Sequence, residues 1–459
     1  MPIASTTEPT SAADSAPSAT TPPPGATSAA PVVHAADLKA PIAGSQAKWV
    51  IPTHIAAVTL IQSTWMALGA LTPILARKRF AAGDWQTLLI TATPTIFFSL
   101  SIFWNDLFRR RALGPYLRWY WVWAGLPLAF VAFAQNYWML LIPHLVSCIG
   151  GAGYHPAAGE LLRSLYPEKV RGRIFSLIWG ISMVVGAGVI LVVGKLMDQN
   201  ENAFRIFYPA ASALQLLGVF IFLYLAHATG HADARAVDTS EDLRSRWKRV
   251  VEPIGHMREV LASDPIFARY EAGYMTYGVG WMICFALLPI LVTKKLHLTY
   301  GEIANSTQVA YWLAITAMIF PAGLLMDRIG AVRTTGLSFL LLTLYPVGLI
   351  LSTNEHQLLI TSVVYGIAHT GAQVGWTLGP VALAPNPGKV GQYVAIHSTL
   401  VGIRGKVFQF LGVGLYTLTH SFTVPFLLAA GAFLWSALQM WQLDRRMKAG
   451  STQSPNQAR

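Results

Sequence analysis

Charge is scarce in this sequence. Asp, Glu, Lys and Arg make up 12% of its 459 residues, about half of the roughly 25% usual in a soluble domain. With 54% hydrophobic residues and a mean hydropathy of +0.47, that scarcity argues against a water-soluble enzyme. Cysteine is almost missing as well. Cys148 and Cys284 are the only two, and both lie inside apolar runs without metal-ligand spacing. Neither a disulfide scaffold nor a thiolate metal site gains support. No G-x4-G-K-S/T segment is present, so nucleotide-driven pumping has no motif to stand on. No nucleophile–base constellation is visible either, and no catalytic residue, cofactor or metal is assigned.

What is present is apolar length. After the polar ends and one polar central stretch are set aside, about 350 residues remain, which is room for about twelve helices of roughly 20 residues plus turns. The runs fall near 50–76, 85–104, 115–134, 137–164, 173–197 and 206–228, then near 266–292, 304–326, 335–352, 357–383, 394–418 and 422–443. Residues 1–46 are mostly Ala, Ser, Thr and Pro, a composition expected to stay disordered. They lack the apolar core of a signal peptide and contain no Arg, against a transit peptide. The reading is therefore a tail over 1–46, a six-helix block over 47–228, a polar linker over 229–265, a second six-helix block over 266–443, and a tail over 444–459. The class is an all-α multi-pass membrane protein with the lipid bilayer as its solvent.

The net charge of +12 sits in short loops between apolar runs, which is how cytoplasmic loops are charged. A nucleic-acid partner would need those cations gathered on one soluble surface, so none is expected. Even-numbered turns carry Arg109–Arg111, Lys169, Arg171, Arg173, the linker's Arg244, Arg246, Lys248 and Arg249, then Arg328, Arg333 and Lys389; Arg445, Arg446 and Lys448 follow the last run. This excess places both termini and the linker in the cytoplasm, in a plasma or inner membrane. The cluster Arg77, Lys78 and Arg79 at the first turn dissents.

The two blocks repeat each other. Trp65, Met66, Leu71, Pro73, Ile74, Leu75 and Lys78 in the first run match Trp281, Met282, Leu287, Pro289, Ile290, Leu291 and Lys294 in the seventh, each pair 216 residues apart. Asp106 and Asp327 lie 221 apart, and Pro167, Lys169 and Val170 lie 220 from Pro387, Lys389 and Val390. Six spans per block make equivalent helices run the same way, a parallel repeat about an axis along the membrane normal.

At these turns the chain resembles the major facilitator superfamily of secondary transporters. The family's turn between its second and third spans holds a Gly, an Asp and basic residues. Here Asn105, Asp106, Leu107, Phe108 and Arg109–Arg111 occupy it, with Arg109 where Gly is frequent; the second copy is Gly323 through Asp327, Arg328 and Gly330, then Arg333. The resemblance covers about residues 47–443 and implies the family's fold of two six-helix bundles. Asp106 with Arg110, and Asp327 with Arg328 and Arg333, become candidate gate residues, since an Asp at a helix end accepts bonds from Arg and from helix amides. The bland alternative is topology-setting charge. Many antiporters of the family carry Gly-Pro in the fifth span; residues 182–195 contain no proline.

Ionisable groups within spans cost about 2.5–3.5 kcal/mol at the centre of a helix on insertion scales, so they mark places to look for function. Arg404 lies about ten residues, or about 15 Å, into its run, with Lys406 and His397 near it. It either binds an anionic group of the substrate or forms a structural pair with Glu271. His144, His155 and His369 lie in the fourth and tenth runs. His155, His369 and Glu271 are the proton-coupling candidates, against a plain packing role. None of these histidines has a second one at i+4, against a metal site. His369 does have Gln373 there, on the same helical face. In the resembling family, spans one, four, seven and ten line the cavity. That implication adds Gln62, Trp65, Tyr154, Tyr277, Trp281 and Gln373 to Arg404 as substrate-site candidates.

The reading these observations favour is a secondary transporter. It would move a small polar or anionic solute by alternating access, with proton symport as one energy source. An exporter of amphipathic compounds and a non-transporting receptor or assembly factor are the alternatives.

Overall fold

The computed structural model describes residues 47–98, 100, 103–104, 107–108, 111–230, 257–386 and 389–452. The predicted tail over 1–46, most of the linker, and Asp106 and Arg110 lie outside the described residues, as do the side chains of Lys169 and Lys406.

Among the described residues the secondary structure is helical, without a strand. The first half comprises α1 (Ala47–Phe80), α2 (Asp84–Phe98), α3 (Leu113–Ala124), α4 (Leu126–Phe130), α5 (Tyr137–Gly151), α6 (Tyr154–Leu165), α7 (Glu168–Gln199) and α8 (Phe204–Ala228). The second comprises α9 (Pro265–Ile290), α10 (Tyr300–Ile303), α11 (Ala310–Ile329), α12 (Ala331–Leu342), α13 (Leu344–Leu351), α14 (Glu355–Leu383), α15 (Val390–Thr419) and α16 (Thr423–Thr452). Each of the twelve apolar runs falls on one helix or on a broken pair. Among the described residues, seven segments are long and apolar enough to cross a membrane. The other runs coincide with α2, α3–α4, α5–α6, α14 and α15, several of them interrupted by a turn. Ala152 and Gly153, for example, part α5 from α6.

Local chemistry sets these boundaries. Asn136, Asp264 and Asn354 accept bonds from the first-turn amides of α5, α9 and α14, satisfying donors a helix start leaves open. Thr299 and Glu302 form a reciprocal capping box at α10. Gly330, at φ +87°, makes the turn between α11 and α12, where a Cβ would be strained. Two ends differ from the sequence reading. The last helix runs on to Thr452 because Lys448 reaches Asp444 at 2.8 Å one turn back. Residues 257–263 of the linker are helical and pack Met257, Val260 and Leu261 around Phe267, Tyr393 and Ile396.

The halves meet along two seams, α7 against α10–α11 and α2 against α15. At the first, a Cβ on Gly194 would come within 2.9 Å of the Tyr300 carbonyl oxygen, so the backbones approach only because glycine is there. At the second, Gln409 Nε2 donates to Thr95 Oγ1 at 3.0 Å.

Candidate functional site

A cavity of about 230 Å³ lies between the halves. The first half contributes Gly69, Ala70, Pro73 and Ile74 of α1 and Thr91 of α2; α9, α11, α13 and α14 supply most of the rest. Two features of the backbone shape it. Pro73 and Pro289, the repeat-related pair, both line it. Each lacks an amide hydrogen, so the carbonyls of Gly69 and Phe285 one turn earlier lose their helical partners. Both of those residues also line the cavity. In addition, a π-turn over Ala304–Val309 joins α10 to α11. Such turns frequently mark functional sites, and this one brings Thr307 and Gln308 to the cavity wall.

One wall is a tier of aromatic rings. Tyr365 stacks on Tyr345 at 4.0 Å, on Tyr311 at 4.7 Å and on His369 at 5.0 Å, with interplanar angles of 17°, 15° and 12°. Trp281 Nε1 donates to Tyr365 Oη at 2.6 Å. His369 is buried behind this wall, and both ring nitrogens are taken: Tyr277 Oη lies 2.7 Å from Nε2 and Tyr311 Oη 2.7 Å from Nδ1. Gln373, on the same face of α14, reaches the cavity.

The first half holds a looser counterpart. Trp65 Nε1 donates to Tyr120 Oη at 3.2 Å, and Tyr120 and Tyr154 rings lie 6.2 Å apart. The Tyr154 hydroxyl is buried beside Gln62 without a complete hydrogen bond. Gln62, Met66 and Trp179 line a smaller cavity of about 100 Å³. Trp312 belongs to both cavities. His155 is exposed, its ring edge-on to Tyr154 at 5.8 Å, away from the aromatic tier.

Arg404 does not line either cavity. It is buried, Nη1 donates to the Tyr274 carbonyl at 2.5 Å, and the guanidinium lies 5.2 Å over the Tyr277 ring. Its stem occupies the space that a side chain on Gly278 would take. Glu271, the partner offered for it by sequence, instead accepts from His397 Nδ1, with both oxygens within 2.9 Å. The two helices α9 and α15 carry Glu271 and His397 to the same depth, which spacing along the sequence does not reveal.

The gate candidates are distributed otherwise than the turn motif implied. Asp327 and Arg328 are exposed. Arg333 donates to Asp444 at 2.8 Å on α16 rather than to Asp327, because the first turn of α12 faces the last helix. Among the described residues, no hydrogen bond or ion pair joins the halves at the end where the even-numbered turns lie. At the opposite end several do. Arg77 reaches Thr293 at 2.7 Å and Asp84 at 2.9 Å, Lys294 reaches Asp84 at 3.4 Å, and Lys78 reaches the Leu298 carbonyl at 2.9 Å. Asp198 at the end of α7 accepts from the amides of Tyr300 at 2.6 Å and Gly301 at 2.8 Å, capping a helix of the other half.

Sequence reasoning did not single out Tyr311, Tyr345 or Tyr365. Tyr365 precedes His369 by one helical turn, which puts the two on one face; that spacing was the available signal. Gln409 had none.

Comparison with known proteins fits this architecture. The sequence model described as Major Facilitator Superfamily matches residues 271–458. Two relatives called multidrug resistance protein MdtH match. The protein from Baumannia cicadellinicola is 23% identical over 314 residues, 66% of this chain and 68% of its own. The one from Photorhabdus laumondii is 25% identical over 312 residues, 66% of this chain and 70% of its own. Among solved structures, a peptide transporter POT in complex with sulfate superposes with a TM-score of 0.73 at 12% identity, over 86% of this chain and 94% of that one. A point mutant of the nucleoside transporter NupG does so with a TM-score of 0.68 at 9% identity, over 86% and 99%. With helical halves, a cavity between them and these relatives in sequence and fold, the chain is similar to the major facilitator superfamily in its second half and shares the fold of these solved transporters.

Proposed function

We propose that the protein carries a small polar organic solute across a membrane by alternating access, binding it in the cavity between the halves. The observation that carries this reading is the cavity itself, which takes its lining from both halves, with the described ties between the halves gathered beside it at the odd-turn end. Under the basic-loop orientation the tied end faces away from the cytoplasm, and both chain termini face the cytoplasm. Trp281 and Gln373 form the solute wall, Tyr277 backs it through His369, and Gln62, beside Trp65 and Tyr154, belongs to the smaller cavity of the first half. Asp327, Arg328 and Arg333, with Asp106 and Arg110, belong to the end that closes when the tied end opens.

The driving proton is assigned to Glu271 and His397 rather than to His369. Both nitrogens of His369 are held by tyrosines, whereas a proton on Glu271 alters the charge of a buried pair and hence its attraction to His397. Arg404 supports that pair's charge from the neighbouring turns of α15. Export of amphipathic compounds is a second reading, favoured by the aromatic wall and by the multidrug relatives.

The test uses proteoliposomes. A cysteine replacing Gln373 should react with a membrane-impermeant maleimide from the even-turn side and be protected from the other side. Equal labelling from both sides, or none that responds to solute, defeats the alternating-access reading. Glu271→Gln should keep solute exchange and lose its response to an imposed pH gradient.

A further inference from the structure

We propose that the cavity selects an uncharged, planar heteroaromatic solute about two fused rings in size, stacked along the Trp281–Tyr365 wall with its polar edge toward Gln308 and Gln373. The inference rests on the transport reading and names the class of solute within it.

Four observations converge. First, among the described residues no Asp, Glu, Lys, Arg or His lines the cavity. A charged solute would leave water without a counter-ion, and an unpaired buried charge is strongly disfavoured. Arg404 stands behind Tyr277 with a hydrogen bond to the Tyr274 carbonyl, and Arg77, beyond Ile74, is occupied by Thr293, Asp84 and Thr87. Neither is presented to an anion in the cavity.

Second, the rings are nearly parallel. Tyr311, Tyr345 and His369 lie within 17° of the Tyr365 plane. Recognition of an ammonium group uses aromatic faces gathered around it as a cage. A parallel tier instead offers a slot that another flat ring extends by offset stacking.

Third, the size fits. A cavity of about 150 Å³ holds benzene, and this one, at about 230 Å³, has space for a second fused ring.

Fourth, unused hydrogen-bonding capacity is available for a neutral edge. The Gln373 side chain makes no hydrogen bond among the described residues, and Gln308 has only a long contact, 3.4 Å, to Thr307 Oγ1. A primary amide offers both a donor and an acceptor. The carbonyls of Gly69 and Phe285, released by Pro73 and Pro289, add acceptors. Trp281 Nε1 is already bonded to Tyr365, so its ring is available for stacking rather than for donation.

The experiment compares four probes on the full-length protein in lipid nanodiscs: 2-quinolinone (neutral, planar), its ring-saturated analogue (neutral, puckered), 1-methylquinolinium (cation) and quinoline-2-carboxylate (anion). Binding is read by equilibrium dialysis. The expected result is at least about tenfold tighter binding of 2-quinolinone than of the other three, a difference of the size one or two hydrogen bonds supply. Gln373→Leu should weaken it about tenfold. Gln373→Glu should reverse the preference toward 1-methylquinolinium, a gain that a misfolded variant does not show. Equal or tighter binding of either charged probe, no binding of any probe, or a Gln373→Glu variant with the wild-type order overturns the proposal. Flux of the same probes in proteoliposomes separates the two readings. Selective binding without flux keeps this solute class and removes transport; flux of a charged probe alone keeps transport and removes this solute class.

Discussion

The two halves carry the same tryptophan at the same place in the repeat, yet their surroundings differ. Trp65 donates to Tyr120 on α3, whereas Trp281 donates to Tyr365 on α14. Of the Asp, Glu, Lys, Arg and His side chains buried among the described residues, the first half has only His54 and His144, whereas the second has Glu271, His369, His397 and Arg404. The histidines of the first half are settled by bonds to neutral oxygens, His54 to the Tyr166 hydroxyl at 3.1 Å and His144 to the Ile90 carbonyl at 3.2 Å. Those of the second belong to networks that touch the cavity wall or a carboxylate. One half keeps its buried ionisable side chains in packing roles while the other gathers the charged chemistry.

Changing Glu271 is the severest way to break this contrast. Glu271→Ala leaves His397 without its acceptor and Arg404 without a nearby anion. Loss of one partner from a buried pair typically costs about 3–5 kcal/mol. The thermal midpoint in detergent should fall by far more than for any polar substitution in the first half, such as His144→Ala. A midpoint unchanged by Glu271→Ala would show that the pair contributes little.

A milder comparison uses the tryptophans themselves. Phenylalanine at either site keeps a ring and removes the donor, at a cost of about 0.5–1.5 kcal/mol for one hydrogen bond. Stability should respond similarly in Trp65→Phe and Trp281→Phe. Solute affinity should drop only for Trp281→Phe, because its acceptor Tyr365 anchors the stacked tier. Equal losses of affinity would mean that both halves read the solute alike.

The ends of the molecule give the most unequal pair of effects, the smallest of all at Arg333. Arg77→Ala removes half-buried bonds to Thr293, Asp84 and Thr87, worth about 1.5–3 kcal/mol for a charged donor, and should raise maleimide access from the odd-turn side. Arg333→Ala touches a pair in which the arginine is 42% exposed, so its cost should stay below about 1 kcal/mol. A larger effect of Arg333→Ala on that access would assign the tie to the wrong end.

Much of this was legible in the sequence, and the limits have physical causes. The apolar runs place the helices because every span must satisfy its own backbone in lipid. The paired prolines and tryptophans mark the repeat, and Pro73 and Pro289 meet at one cavity. Depth along a helix was readable at about 1.5 Å per residue, which put Arg404 near mid-span. Its direction around the helix was not, because that depends on how α9 and α15 pack, and so Glu271 was matched to Arg404 when it faces His397. Asp327 and Arg333 are neighbours in sequence but lie on helices that diverge at Gly330. The Arg77 cluster opposed the charge count for a reason visible only in three dimensions: Arg77 and Lys78 are occupied by acceptors, two of them in the other half.

The carboxylate of Asp198 has a further consequence. It seals the exposed amides of a helix belonging to the opposite half, so the odd-turn end cannot come apart without uncapping Tyr300 and Gly301. Water or a dissolved anion must then stand in for the carboxylate at that helix start. Parting of the halves at this end would thus exchange a carboxylate for solvent at a peptide terminus, and the surrounding medium enters into how readily that end opens.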